Sequence, residues 1–168
     1  VESSEGSGST FSFSLPFTIS QPPGNDSTNQ EFSYTGAQTF SFLIADDLED
    51  NRYVFKMLLE NIFPNSVVTL ANDGMQAVNS AIASNYDLIV MDIDMPVMNG
   101  IEAAMKILAD KPQQKILGSS ANVILEAADL KEYGFEGFIP KPFTKKQFAE
   151  TLRELLADYL TANGMTVE

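Results

Sequence analysis

Four short polar clusters each follow an apolar run, and they carry the side chains best suited to chemistry. They are Asp46-Asp47, Asp92, Ser119-Ser120 and Lys141-Pro142. Carboxylates brought close together repel one another and favour a divalent cation, whereas a nearby lysine favours an anion. A phosphoryl site on an aspartate that uses Mg²⁺ meets both demands, because Mg²⁺ prefers oxygen ligands. The residue types therefore predict such a site, provided that the fold brings the four clusters together.

The segments between these clusters predict a regular alternation of strands and helices from Thr39 onward. Strands are predicted at 40–45, 67–70, 87–91, 115–119 and 137–140. Helices are predicted near 48–63, 75–84, 100–110 and 125–133, and a last helix after Thr144 as its N-cap. This pattern predicts a doubly wound α/β fold with a five-stranded parallel sheet in the order 2-1-3-4-5. Ligand sites in such sheets lie outside the carboxyl ends of the strands, where all four clusters fall.

Helical spacing of apolar residues also predicts which helix faces are buried. For the first two helices the predicted buried residues are Tyr53, Met57, Leu58, Ile62, Ala77, Val78, Ala81 and Ile82.

Composition excludes several classes of function. The 168 residues contain no cysteine and no histidine and carry a formal net charge of −13. Disulfides, thiolate metal sites and cysteine nucleophiles are thereby excluded, and a phosphohistidine donor must lie outside these residues. The acidic balance argues against nucleic-acid binding, which relies on Lys and Arg. No apolar run approaches the roughly 20 residues of a membrane span, so we expect a cytoplasmic domain without direct membrane contact.

Together these positions resemble the receiver domain of two-component signalling. The resemblance covers about residues 40–160 and depends on five motifs in order, which are FLIADD, NDGMQAV, LIVMDIDMPVMNG, ILGSSAN and GFIPKPF. It implies the flavodoxin-like fold of CheY. Any one of these motifs is weak evidence, whereas all five in this order at this spacing are specific.

The resemblance implies a role for each acidic residue of the site. Asp92 matches the phospho-acceptor, and Asp46 and Asp47 match the acid pair that holds Mg²⁺ together with Asp92. A backbone carbonyl, which by resemblance belongs to Asp94, completes the metal ligands. Taken alone, an Asp-Asp pair is more typical of a helix N-cap with a favourable dipole interaction.

Further positions match the residues that sense the phosphoryl group. Lys141 would neutralise the phosphoryl oxygens, and in the family its bond to Pro142 is cis. Ser120 matches the switch hydroxyl because Ala121 follows it, although the adjacent Ser119 leaves the opposite assignment open. Phe138 matches the aromatic switch, with a plain core residue as the alternative.

Three loop positions complete the predicted site. By resemblance, Asp94 and Asn122 tune the lifetime of the phosphoryl group; the alternative is ordinary loop solvation. Gly100, at the end of the turn into the third helix, is expected to supply permissive backbone geometry.

The first 38 residues differ in composition from the rest. GSGSTFSFSLPF resembles the glycine box and final strand of a histidine-kinase ATP-binding domain, with a cloning linker as the alternative. We therefore expect a remnant of that domain at 1–19, a linker at 20–38 and a receiver at 39–168. Val1 is not an initiator methionine, so we expect a fragment of a longer hybrid histidine kinase with this receiver at its C-terminus. The sequence leaves open a membrane anchor elsewhere in that parent.

These implications combine into one expected function. The receiver would take a phosphoryl group from the dimerisation domain of a histidine kinase, catalysing its own phosphorylation and dephosphorylation without histidine-kinase activity. It would pass the group to a histidine phosphotransfer protein or lose it to water.

Two other functions are weighed against this one. Asp92-Ile93-Asp94 mimics the DxD motif of haloacid-dehalogenase-like phosphatases, but that family needs its acidic pair downstream, and Asp46-Asp47 lie upstream. A receiver that only docks partners is disfavoured because every expected phosphorylation residue is present.

Overall fold

The computed structural model describes residues 2–4, 8–10, 38–121 and 127–162. The first two ranges form a small antiparallel pair, β1 (Glu2–Ser4) and β2 (Gly8–Thr10), in a compact unit of its own. The phenylalanine-rich part of GSGSTFSFSLPF, where the resemblance implied a final strand, lies outside the described residues.

A five-stranded parallel sheet forms the centre of the second unit. Its strands are β3 (Ser41–Ala45), β4 (Val67–Ala71), β5 (Leu88–Asp92), β6 (Ile116–Ser120) and β7 (Gly137–Pro140). They pair in parallel in the order β4-β3-β5-β6-β7. Counted from Thr39 this is the order 2-1-3-4-5, so the predicted topology is confirmed.

Within the described part of the chain, five helices flank the sheet. They are α1 (Glu49–Ile62), α2 (Gly74–Ala83), α3 (Gly100–Asp110), α4 (Ala127–Glu132) and α5 (Lys145–Ala162). The predicted N-cap at Thr144 is confirmed: its Oγ1 accepts from the Gln147 N–H at 3.2 Å, and its own N–H donates to Gln147 Oε1 at 2.8 Å. This reciprocal capping box satisfies two backbone donors that the helix itself leaves unpaired.

The core has two layers, one on each face of the sheet, because successive strand side chains point in opposite directions. On β3, Phe42 and Ile44 join the layer under α1 and α5, whereas Leu43 and Ala45 join the layer under α2 and α3. Covering on both faces explains why β3 and β5 are almost wholly apolar.

The predicted buried faces of α1 and α2 were wrong in part. Tyr53 and Met57 are 68% and 51% exposed, and their expected places against the sheet are taken by Phe55 and Leu59. On α2, Ile82 is 54% exposed, whereas the other three predicted residues are buried. Apolar residues lie on several sides of α1, so spacing alone did not select the side that packs on the sheet.

None of the helices within the described ranges combines the length and the hydropathy that a bilayer-spanning segment requires.

Candidate functional site

The carboxyl ends of four strands bring the predicted residues together. Asp92 and Ser120 are the last residues of β5 and β6, and the register places Asp92 beside Ser119. Asp46 directly follows β3, and Lys141 directly follows β7. The site is therefore a consequence of the strand order, since neighbouring parallel strands end at the same edge.

Lys141 links two buried carboxylates at this edge. Its Nζ lies 2.6 Å from Asp46 Oδ2 and 3.1 Å from Asp92 Oδ1. The three side chains are only 14%, 1% and 8% exposed, respectively. Two negative charges thus share one positive charge away from bulk water. Removing the lysine would leave both buried carboxylates uncompensated, which destabilises a folded protein. The peptide bond between Lys141 and Pro142 is cis, as the resemblance implied.

Three carboxylates converge closely enough to bind one metal ion. One oxygen each from Asp46, Asp47 and Asp92 lies within 4.8 Å of the others. Asp46 and Asp92 are buried, whereas Asp47 is exposed, so the cluster opens to solvent on one side. This set of hard oxygen donors with a wet side fits Mg²⁺, which binds few carboxylates and keeps several waters.

The environment of Asp92 disfavours its charged form. Burial raises the pKa of the Asp92 carboxyl to about 6, and repulsion from Asp46 and Asp47 acts in the same direction, while Lys141 opposes both. Because ionisation of Asp92 stays unfavourable even beside Lys141, an additional cation would stabilise its charged form.

Two residues that the sequence did not single out hold the acidic pair in place. Asn51 Nδ2 donates to Asp46 Oδ1 at 3.0 Å, and Arg52 Nη1 donates to the carbonyl oxygens of Asp46 and Asp47 at 2.6 and 3.0 Å. Their position in the first turn of α1, just after the acidic pair, is the signal that would have indicated this role.

The acidic pair does not cap α1. The N-cap residue is Leu48, which makes no side-chain cap, and its N–H donates to Asp46 Oδ1 at 3.0 Å. Asp46 therefore fixes the loop before the helix, with both of its oxygens engaged.

The two adjacent serines have different partners. Ser119 Oγ donates to the Ile139 carbonyl of β7 at 3.2 Å, deep in the sheet. Ser120 Oγ donates to Asp94 Oδ2 at 2.9 Å, in the loop after β5. Ser119 is thus bound to a strand, whereas Ser120 contacts the loop that follows the central aspartate. The metal role expected for Asp94 concerned its backbone carbonyl and stays a prediction.

Phe138 is half-buried in the α2–α3 layer of the core and sits opposite Gly118 in the register.

Gly100 does not adopt a positive φ, so the expectation of permissive geometry there was wrong. A Cβ at Gly100 would overlap the carbonyl oxygen of Asp92, so the requirement is for space. The positive φ in this loop, 69°, belongs to Val97.

Asn122 lies outside the described residues, so its predicted role stays a prediction.

Comparison with known families agrees with this geometry. The family model of the response regulator receiver domain matches residues 42–167. The chain belongs to this family. It is thus a receiver domain of two-component signalling.

Curated relatives of this receiver include large sensor proteins. The sensor protein EvgS of Escherichia coli is 34% identical over 122 residues, which cover 73% of this chain and 10% of EvgS. The autoinducer 1 sensor kinase/phosphatase LuxN of Vibrio campbellii is 35% identical over 126 residues, 75% of this chain and 14% of LuxN. The receiver thus matches only a small part of either protein.

Solved receiver structures superimpose on the same region. The receiver domain of the sensor histidine kinase PA1611 from Pseudomonas aeruginosa, solved with a magnesium ion in its active-site cleft, is 28% identical with a TM-score of 0.64. The match covers 71% of this chain and 99% of the PA1611 receiver domain. Chemotaxis protein CheY4 of Vibrio cholerae is 26% identical with a TM-score of 0.65, covering 71% of this chain and all of CheY4. The CheY-like fold expected from the sequence is confirmed.

Proposed function

We propose that this receiver accepts a phosphoryl group on Asp92 as one step of a phosphorelay. The observation that supports this most directly is Lys141, whose ammonium contacts the carboxylates of both Asp92 and Asp46. Asp47, the third carboxylate of the cluster, is exposed, so a phosphoryl donor would approach Asp92 from that side. Phosphoryl transfer has a loose transition state that depends on positioning and charge neutralisation. Asp92 would supply the attacking oxygen, and Lys141 together with a metal ion held by the carboxylates would supply the positive charge.

The transfer conserves atoms and charge. The N–P bond of a phosphohistidine on another molecule breaks, and its electron pair returns to the imidazole nitrogen. An Asp92 carboxylate oxygen forms the new O–P bond, giving an acyl phosphate. Lys141 would move from the carboxylates toward the phosphoryl oxygens as a point charge. Ser120 would donate its hydroxyl proton in a hydrogen bond to one of those oxygens.

Asp46, Asp47 and Asp92 would hold Mg²⁺, with the backbone carbonyl of Asp94 as a further ligand. The ion, when bound, supplies the positive charge that brings the anionic donor and the acidic site together. Asn51 and Arg52 would keep Asp46 and its loop in position for this.

The acyl phosphate would be passed to a histidine phosphotransfer protein or hydrolysed. The dimerisation domain of a histidine kinase is the proposed donor, because the 168 residues contain no histidine. Ser120 and Phe138 are the proposed switch, moving inward when the phosphoryl group is present, and Asp94 and Asn122 would adjust its lifetime. Such a switch shifts the population between two states and does not create a new one.

The parent is proposed to be a hybrid histidine kinase, which is consistent with the likeness to EvgS and LuxN. Residues 1–19 would then be the end of its ATP-binding domain and 20–38 a linker, with the receiver at 39–168 in the cytoplasm. The net charge of −13 is consistent with protein partners and with no binding to nucleic acid.

The test is phosphorylation of Asp92→Asn by acetyl phosphate in the presence of Mg²⁺. The wild-type protein should gain one phosphoryl group that is labile to acid and base, and the variant should gain none while keeping its fold by circular dichroism. Asp50→Asn, which removes an exposed acid from α1, is the matched control and should label normally. Labelling of Asp92→Asn would place the acceptor elsewhere, and failure of the wild type to respond even to beryllofluoride would favour a docking domain.

A further inference from the structure

The hydroxyl of Ser120 is already engaged in the absence of a phosphoryl group. It donates to Asp94 Oδ2 at 2.9 Å. Ser120 itself is 1% exposed, whereas Asp94 is exposed at the surface. A serine hydroxyl has one proton to donate. It cannot donate to Asp94 and to a phosphoryl oxygen on Asp92 at the same time.

The sheet fixes the two residues relative to each other. The Ile93 N–H donates to the Ser119 carbonyl at 2.9 Å, which ties the loop carrying Asp94 to the end of β6. Ile93 and Met95, on either side of Asp94, are 3% and 8% exposed, so the backbone on both sides is anchored in the core. The Ser120 carbonyl accepts from the Lys141 N–H at 2.8 Å. With the backbone held at both residues, rotation of the serine side chain is the simplest way to release its hydroxyl.

We propose that the Asp94 carboxylate competes with the phosphoryl group for the Ser120 hydroxyl and thereby favours the resting state of the receiver. This inference rests on the proposed function, because it assumes that Ser120 has a phosphoryl group to contact. A carboxylate acceptor makes a stronger hydrogen bond than a neutral oxygen does. Asp94 therefore raises the free energy that phosphorylation must supply before the Ser120 hydroxyl rotates toward the phosphoryl group on Asp92.

Competition for the Ser120 hydroxyl predicts an order of affinities for the phosphoryl mimic beryllofluoride in the presence of Mg²⁺. Asp94→Ala removes the competitor and should tighten binding by about tenfold, and Asp94→Asn, which keeps a neutral acceptor, should lie between it and the wild type. Both variants keep the backbone carbonyl of residue 94, so the proposed metal ligand is retained. Titration followed by NMR or calorimetry gives the affinities.

A second background separates competition from simple charge. Removing the negative charge of Asp94 also favours an anionic ligand, but this effect persists when Ser120 is replaced by alanine. In Ser120→Ala, the Asp94→Ala change should therefore tighten binding by no more than about threefold, leaving a clear coupling between the two sites. Asp50→Ala, an exposed acid on α1, is the charge-matched control and should have a small effect in both backgrounds.

An independent readout uses the protein without metal or mimic. Asp94→Ala should shift the amide resonance of Ser120 toward the position seen with beryllofluoride, whereas Asp50→Ala should leave it in place. Equal effects of Asp94→Ala in the two serine backgrounds would overturn the competition while leaving the proposed function intact. A wild-type protein that does not bind beryllofluoride with Mg²⁺ would overturn both.

Discussion

Lys141 Nζ lies closer to Asp46 Oδ2, at 2.6 Å, than to the proposed phospho-acceptor Asp92, at 3.1 Å. The lysine therefore neutralises the acidic cluster itself in the metal-free protein. A divalent cation bound by the same carboxylates would take over that task and leave the lysine available to an incoming anion. The cation and the lysine thus stabilise the same charges, and their effects on folding are expected to be coupled.

Magnesium should stabilise this receiver against unfolding. Three carboxylates that converge within 4.8 Å repel one another less once a cation lies among them. At about ten times its Kd the ion adds about 1.4 kcal/mol, which corresponds to a rise in Tm of roughly 3–6 °C. Thermal unfolding with and without millimolar MgCl₂ measures it. Asp50→Asn should show the same rise and Asp46→Asn a smaller one; an unchanged melting temperature in the wild type would mean that the cluster binds no Mg²⁺.

Replacing Lys141 by methionine should destabilise the metal-free protein and enlarge the stabilisation by Mg²⁺. The substitution leaves the buried carboxylates of Asp46 and Asp92 without their cation, a change that typically costs about 3–5 kcal/mol. The added Mg²⁺ then neutralises more uncompensated charge and no longer meets a competing ammonium. Urea unfolding of both proteins with and without MgCl₂ gives the two differences.

Lys56→Met is the matched control for this experiment. Lys56 pairs with Glu60 at 3.6 Å, and both side chains are more than a third exposed, so its loss should cost less than about 1 kcal/mol and leave the Mg²⁺ effect unchanged. Equal stability of Lys141→Met and the wild type would show that the lysine does not neutralise the cluster.

The pH dependence of stability should carry a signature of Asp92. Its pKa of about 6 in the folded protein lies above the ordinary value of 3.8, so the folded state binds this proton more tightly than the unfolded state does. The stability that it contributes is present at low pH and is lost as the pH rises from about 4 to about 6. A shift of this size corresponds to roughly 3 kcal/mol.

The difference between wild type and Asp92→Asn isolates that signature from all other carboxylates. In metal-free buffer the free energy of unfolding of the wild type should fall relative to the variant between pH 4 and 6, and saturating Mg²⁺ should remove the fall. Parallel curves for the two proteins would contradict a raised pKa at Asp92.

The strand order and the meeting of Asp46, Asp92 and Lys141 could be predicted from the sequence for one physical reason. Apolar runs alternating with helix patterns determine a parallel sheet, and a parallel sheet gathers residues at the carboxyl ends of its strands. Sequence position relative to a strand end was therefore enough, even for residues 95 positions apart.

Details that depend on three-dimensional contacts were not predictable in this way. Tyr53 and Met57 have the same i, i+4 spacing as Phe55 and Leu59, so periodicity does not distinguish the exposed pair from the buried one. The contacts of Arg52 with two loop carbonyls depend on the path of a short loop, which composition does not encode. Gly100 is required by the close approach of the Asp92 carbonyl, and residue spacing does not indicate such a contact.

The two serines after β6 should respond differently to replacement by alanine. Ser119→Ala removes the hydrogen bond to the Ile139 carbonyl inside the sheet and should cost about 1 kcal/mol of stability while acetyl phosphate still labels the protein at its normal rate. Ser120→Ala removes the donor proposed to contact the phosphoryl group and should slow labelling by about tenfold with a smaller change in stability.

Initial rates of labelling and urea unfolding, measured on the same two variants, separate the roles. Ser120→Thr retains the hydroxyl and should restore most of the rate, which a purely steric role of the serine would not explain. If Ser119→Ala slows labelling and Ser120→Ala does not, the switch hydroxyl belongs to Ser119. The competition proposed for Asp94 would then lose its basis, since Ser120 is the serine that Asp94 contacts.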